Sequence, residues 1–67
     1  MDKSTAELIL NQTLVAIEAL TATLALARER LTPEELTQLQ RGIGLAIGEI
    51  EMNINVPLYQ RFEDLAP

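Results

Sequence analysis

The 67-residue chain has no cysteine, no histidine and no tryptophan, and only one tyrosine and one phenylalanine. Without cysteine it can form neither a disulfide nor a thiolate metal site. Without histidine it lacks the commonest transition-metal ligand and the side chain that most readily titrates near neutral pH. Basic residues are few, five against ten acidic ones, giving a net charge of −5. That argues against nonspecific nucleic-acid binding, which needs a basic surface to displace counterions, and against anionic membrane surfaces. Long hydrophobic runs are missing too. No stretch reaches the eighteen or more uninterrupted apolar residues expected of a spanning helix. The opening MDKSTAELIL carries Asp2 and breaks at Asn11-Gln12, which makes a poor secretory signal. These absences lead to the expectation of a cytoplasmic protein with no membrane association, no cofactor, no metal and no small-molecule ligand.

Proline and glycine are scarce, three of each, and their positions organise the chain. Ser4 followed by Glu7 reads as a capping box that starts a first helix at about Thr5. Nothing interrupts that helix before Leu31, and Arg28 and Arg30 would complement the dipole of its last turn. Thr32-Pro33-Glu34-Glu35 is the strongest local signal: a capping threonine, a proline at the first helical position and a glutamate that can reach back to the Thr32 amide. A second helix is expected from Pro33 to about Asn55. The link between the two helices is too short for anything but an antiparallel hairpin. Pro57 then ends or kinks the second helix. Leu58, Phe62 and Leu65 follow at i, i+4 and i+7, predicting a short helical extension over residues 57–63 that plugs the open end of the hairpin. The expected fold is all-α, one helical domain over residues 1–67.

The apolar pattern exceeds what one hairpin can hide. The first helix has a main face of Ile9, Leu10, Leu14, Ile17, Leu20, Leu24, Ala27 and Leu31. A second stripe, Leu8, Val15, Ala19, Ala22 and Leu26, runs along its other side, next to a narrow strip of Glu7, Asn11, Glu18 and Glu29. The second helix has its main stripe at Leu36, Leu39, Ile43, Ala46, Ile47, Ile50 and Ile54. Leu45 and Met52 lie well off that stripe, with Gly44 and Gly48 beside them. Each helical glycine costs about 1 kcal/mol against alanine, and Gly44-x-x-x-Gly48 either clears one face for close approach of another backbone or marks a weak or bent stretch of helix. The three glycines do not form a dinucleotide or P-loop fingerprint, because the spacing is wrong, no strand precedes them and no lysine follows. A two-fold dimer of hairpins forming a four-helix bundle would bury both faces and supply the stabilisation that so short a chain needs. The expected dimer interface is Leu8, Val15, Ala19, Ala22, Leu26, Gly44, Leu45, Gly48 and Met52.

No catalytic constellation can be assembled. Glu49 and Glu51 point to different sides of a helix, and Glu34 and Glu35 belong to a helix start. Glu18 and Glu49 could meet across a bundle, where a solvated salt-bridge role suits them better than cation binding. Thr13, Thr21 and Thr23 can bond to the carbonyl one turn back; they either fix helix register or are tolerated at the edge of the apolar face, and the second reading is preferred. The expectation is a non-enzymatic interaction protein, an obligate homodimer that binds an unidentified protein as adaptor, small regulator or chaperone-like subunit. The alternative is a small RNA-associated regulator. The expected architecture is similar to that of the dimeric RNA-binding hairpins of plasmid copy control, and Arg28, Arg30 and Arg41 gather towards the corner, although no residue motif matches.

Overall fold

A computed structural model covers residues 1–67 and is helical, with no strand. Helix α1 spans Lys3–Ala27 and helix α2 Pro33–Ile50. A π-helical turn, Glu51–Asn55, joins α2 to α3, Val56–Arg61, and a 3-10 turn over Glu63–Leu65 closes the chain. Helices α1 and α2 form an antiparallel hairpin in a single layer, a rod of 45 × 17 × 16 Å. Its radius of gyration is 14.6 Å, against about 11 Å for a compact chain of this length.

The corner follows from local chemistry. Thr32 is extended, as a residue before proline must be, so α1 cannot run through it. The Thr32 hydroxyl accepts from the Glu35 amide at 3.2 Å, and the Glu35 carboxylate accepts from the Thr32 amide at 2.9 Å, completing the capping box. Helix α1 stops at Ala27, one turn short of the expected Leu31. The Arg30 and Leu31 amides both bond to the Ala27 carbonyl, which tightens the chain into the turn. Arg28 is therefore the C-cap and Arg30 lies in the turn beyond the helix, not in its last turn.

The N-terminus differs from the Ser4–Glu7 expectation. Asp2 is the cap: its carboxylate accepts from the Thr5 amide at 2.8 Å, its carbonyl accepts from Ala6, and Ser4 lies within the first turn. Asp2 supplies a charged acceptor that complements the helix dipole, and starting there adds two helical residues. Thr5, through its side chain first and its amide second, holds the Asp2 carboxyl below its ordinary value. Lys3 pairs with Asp64 and ties the C-terminal turn to the start of α1. The hydrogen bond with Lys3 lowers Asp64, and the same bond raises Lys3. Both carboxylates are favoured in charged form by the fold. Their support is complete above the ordinary carboxylate pKa of 3.8 and fades as acid takes them through their lowered values.

The π-turn resolves how the chain passes Pro57. A proline in a regular α-helix leaves one carbonyl unpaired and collides with the preceding turn. Here the turn is widened by one residue: the Val56 amide reaches back to the Glu51 carbonyl, and Pro57 sits in the first turn of α3. Helix 2 thus continues into α3 without a break. One extra residue in a turn rotates everything after it by about 100° relative to regular α spacing. Ile54, expected on the main stripe, is consequently 38% exposed, and Asn55 is turned inward and 3% exposed. Leu58 is buried just after it, and Tyr59, Phe62 and Leu65 are half-buried.

Asn55 is the one buried polar side chain, and both its oxygen and its nitrogen have a partner. Its carbonyl oxygen lies 2.7 Å from the Thr13 hydroxyl, which donates to it, and its amide nitrogen donates to the Glu51 carboxylate at 3.2 Å. The Thr13 hydroxyl is also 3.0 Å from the Leu10 carbonyl, so its single hydrogen is shared between two acceptors. Thr13 is therefore not merely tolerated at an edge. It sets the register of α1 against the π-turn. Thr21 and Thr23 do bond back to the Ile17 and Ala19 carbonyls.

Candidate interaction surface

One helix packed on one helix covers a single face of each. Only five of the 67 residues are buried, and no large side chain is completely enclosed. The apolar ones are Ala6, Ala27, Ile43 and Leu58, two of them alanines. Most main-face leucines and isoleucines are half-covered, and Leu14, expected inside, is exposed. The accessible surface is 4994 Å². A compact monomer of 7.4 kDa exposes about 4,200 Å².

The residues expected at an interface all face outward. Leu8, Val15 and Leu26 are 66%, 57% and 62% exposed. Ala19, Ala22, Gly44 and Gly48 are exposed, as are Leu45 and Met52. These residues do not form one patch. Leu8 borders an open apolar groove of about 500 Å³, in which Ile9, Gln12 and Ala16 of α1 face Ile50 and Ile54. The second stripe of α1, counted at 100° per residue, runs along the outer side of the helix, with Leu8 at the edge of this groove. The opposite flank carries a groove of about 350 Å³ between Leu10, Leu14 and Ile17 on one side and Glu51, Asn55 and Tyr59 on the other. Gly44 and Gly48 share the Glu51 side of α2, and Leu45 and Met52 lie on its back. Thr13 lines the first groove and Asn55 and Glu51 line the second, so the Thr13–Asn55 hydrogen bond separates the two.

The glycines have no packing role inside the hairpin. A side chain added at Gly42, Gly44 or Gly48 would meet nothing within 4 Å. Gly48→Ala is therefore expected to raise the stability of the hairpin by about 1 kcal/mol, the ordinary helix-propensity difference. Chemical denaturation at fixed protein concentration measures this. A loss of stability would mean that another backbone rests on Gly48.

The polar side chains are engaged locally. The Glu49 carboxylate accepts from Asn53 at 2.6 Å, and no three acidic side chains gather at one point. Helix α1 itself is unusual in composition: between Glu7 and Arg28 its only charged residue is Glu18. An 18-residue window of α1 has a mean hydropathy of 1.5 and no buried residue, so by length and composition the helix is long and apolar enough to cross a membrane. The expectation drawn from uninterrupted runs overlooked this, because Asn11, Gln12, Glu18 and the threonines break the runs while leaving the average high. No protein family, curated protein or solved structure matches the chain.

Proposed function

We propose that this protein is a non-enzymatic interaction module that works as a homodimer of helical hairpins, a four-helix bundle, and serves another protein as adaptor, regulator or chaperone-like subunit. The observation that carries the reading is surplus surface. The chain exposes roughly 800 Å² more than a compact monomer of its mass. The elongated two-helix rod leaves that surface uncovered, and it is of the order of the roughly 800 Å² that each partner contributes to a standard-sized interface. A helix that is apolar on nearly every side belongs in an interior, and α1 has an interior on one side only. Self-association encloses it without requiring any component beyond the chain itself. The acidic balance then leaves a soluble dimer with a negative exterior, suited to a protein partner in the cytoplasm.

Light scattering on the purified protein, followed by flotation with neutral phospholipid vesicles, tests this reading. A particle of about twice the chain mass that stays with the aqueous fraction supports it. A protein that floats with the vesicles contradicts it and makes α1 a membrane helix, in spite of the roughly 2.5–3.5 kcal/mol that a charge such as Glu18 costs near a bilayer centre.

A further inference from the structure

We infer that the second copy packs on the outer stripe of α1, with the two α1 helices antiparallel about a two-fold axis between Val15 and Ala19. This rests on the homodimer reading above, adds the face, the direction and the register, and sets the four helices side by side in the order α2, α1, α1, α2 in place of a bundle round one core. The occupant follows from self-complementarity, since the outer stripe laid against its own reverse sets small residues against larger ones, and the elongated chain leaves uncovered a surface of the order that one partner contributes to an interface.

The face follows from where apolar side chains remain uncovered. Leu8, Val15 and Leu26, each more than half exposed, stand in line with exposed Ala19 and Ala22. Adding Gln12, which lines the larger groove, gives positions 8, 12, 15, 19, 22 and 26. Their spacings are 4, 3, 4, 3 and 4, the seam of a coiled coil. The outer side of α2 offers less: Leu45 and Met52 stand there among Glu34, Gln38, Arg41 and Glu49.

The direction follows from side-chain size. In a parallel pair, Ala19 and Ala22 would meet their own copies and leave the centre of the seam hollow, while Val15 and Gln12 would also meet themselves. Reversing one helix about that axis sets Val15 against the Ala19 position of the other copy and Gln12 against its Ala22. Leu8 then meets the Leu26 position at both ends. Every small residue faces a larger one, which is how facing layers fill space without voids. The helix dipoles also oppose each other in this arrangement.

The absence of native cysteine makes the test clean. L8C and L26C would be prepared singly, mixed one to one, and treated with a short thiol-reactive bifunctional linker. Each chain then carries one cysteine, so no link can form within a chain, and in the proposed pair the two cysteines of a dimer of one variant stand about 27 Å apart at 1.5 Å per residue. The expected result is a covalent dimer from the mixture and almost none from either variant alone. Efficient self-linking of L8C alone would mean a parallel pair and overturn the proposal. So would linking of L45C to M52C in place of the L8C mixture, which would put the partner on α2. The unsubstituted protein gives an independent reading. Mixed labelled and unlabelled chains should show an isotope-filtered methyl contact between Leu8 and Leu26, and a dimer without that contact overturns the arrangement. If the same samples are monomeric by light scattering, the homodimer reading itself fails, and this arrangement with it.

Discussion

Leu26→Glu is expected to convert the protein to a monomer at concentrations where the unsubstituted chain is dimeric. Leu26 is 62% exposed in the hairpin and makes no part of its inner face, so the substitution removes nothing that holds α1 to α2. In a two-fold dimer each substitution counts twice. Fully burying a leucine contributes about 1.5–3 kcal/mol, and with 62% of each Leu26 still to be covered two are worth roughly 2–4 kcal/mol before the cost of enclosing two carboxylates is added. At 1.4 kcal/mol per decade the lost burial alone raises the dissociation constant by roughly thirtyfold to several hundredfold. Ala25→Glu is the matching control. It adds the same charge one residue away, beside the strip of Glu7, Glu18 and Glu29, and should leave the mass unchanged. Sedimentation of both variants decides the matter. Equal weakening by the two would mean that charge, and not the outer stripe, controls association.

The second large effect is expected at Asn55. Asn55→Asp keeps the shape of the side chain but replaces the nitrogen that donates to Glu51 with a carboxylate oxygen at the same place. Two carboxylates would then face each other at about 3 Å, one of them on a residue only 3% exposed. Leaving a buried charge without a partner costs about 3–5 kcal/mol. A domain of this length has a total stability of roughly 3–10 kcal/mol, so the variant should lose a third or more of its stability near neutral pH. Burial and the like charge both push the introduced carboxyl upward from its ordinary value. Its neutral form is the one the fold accepts. Stability should therefore return as pH falls through that raised value, the reverse of the support given by Asp2 and Asp64, whose lowered values make them lose it in acid. Denaturation curves from neutral to mildly acidic pH measure this. A variant as stable as the parent at neutral pH would mean that Asn55 is not enclosed between the helices.

These two positions also show what could be read from the sequence alone. The outer stripe of α1 was legible because a long, regular helix keeps its periodicity, and Leu8, Val15 and Leu26 are exposed where the spacing puts them. The corner was legible because Thr32, Pro33 and Glu35 act through bonds three residues long. Asn55 was not legible. Its inward position depends on the π-turn, and a turn with one extra residue defeats any count made at fixed spacing. The signals were a proline two residues on and a threonine on the facing helix with no acceptor assigned across the gap. The grouping of Leu8 with Gly44, Leu45, Gly48 and Met52 required a knowledge of which flank each helix turns outward. Two helices read separately do not contain that information. The N-cap was misplaced for a simpler reason: Asp2–Thr5 and Ser4–Glu7 both have capping spacing, and the earlier pair prevails.

Sedimentation equilibrium over a dilution series, with helicity followed on the same samples, tests the central claim most directly. The account predicts a two-chain particle at high concentration and a loss of helicity that tracks its dissociation, since a hairpin with five buried residues holds itself together poorly. A single chain at every concentration, fully helical throughout, would contradict it.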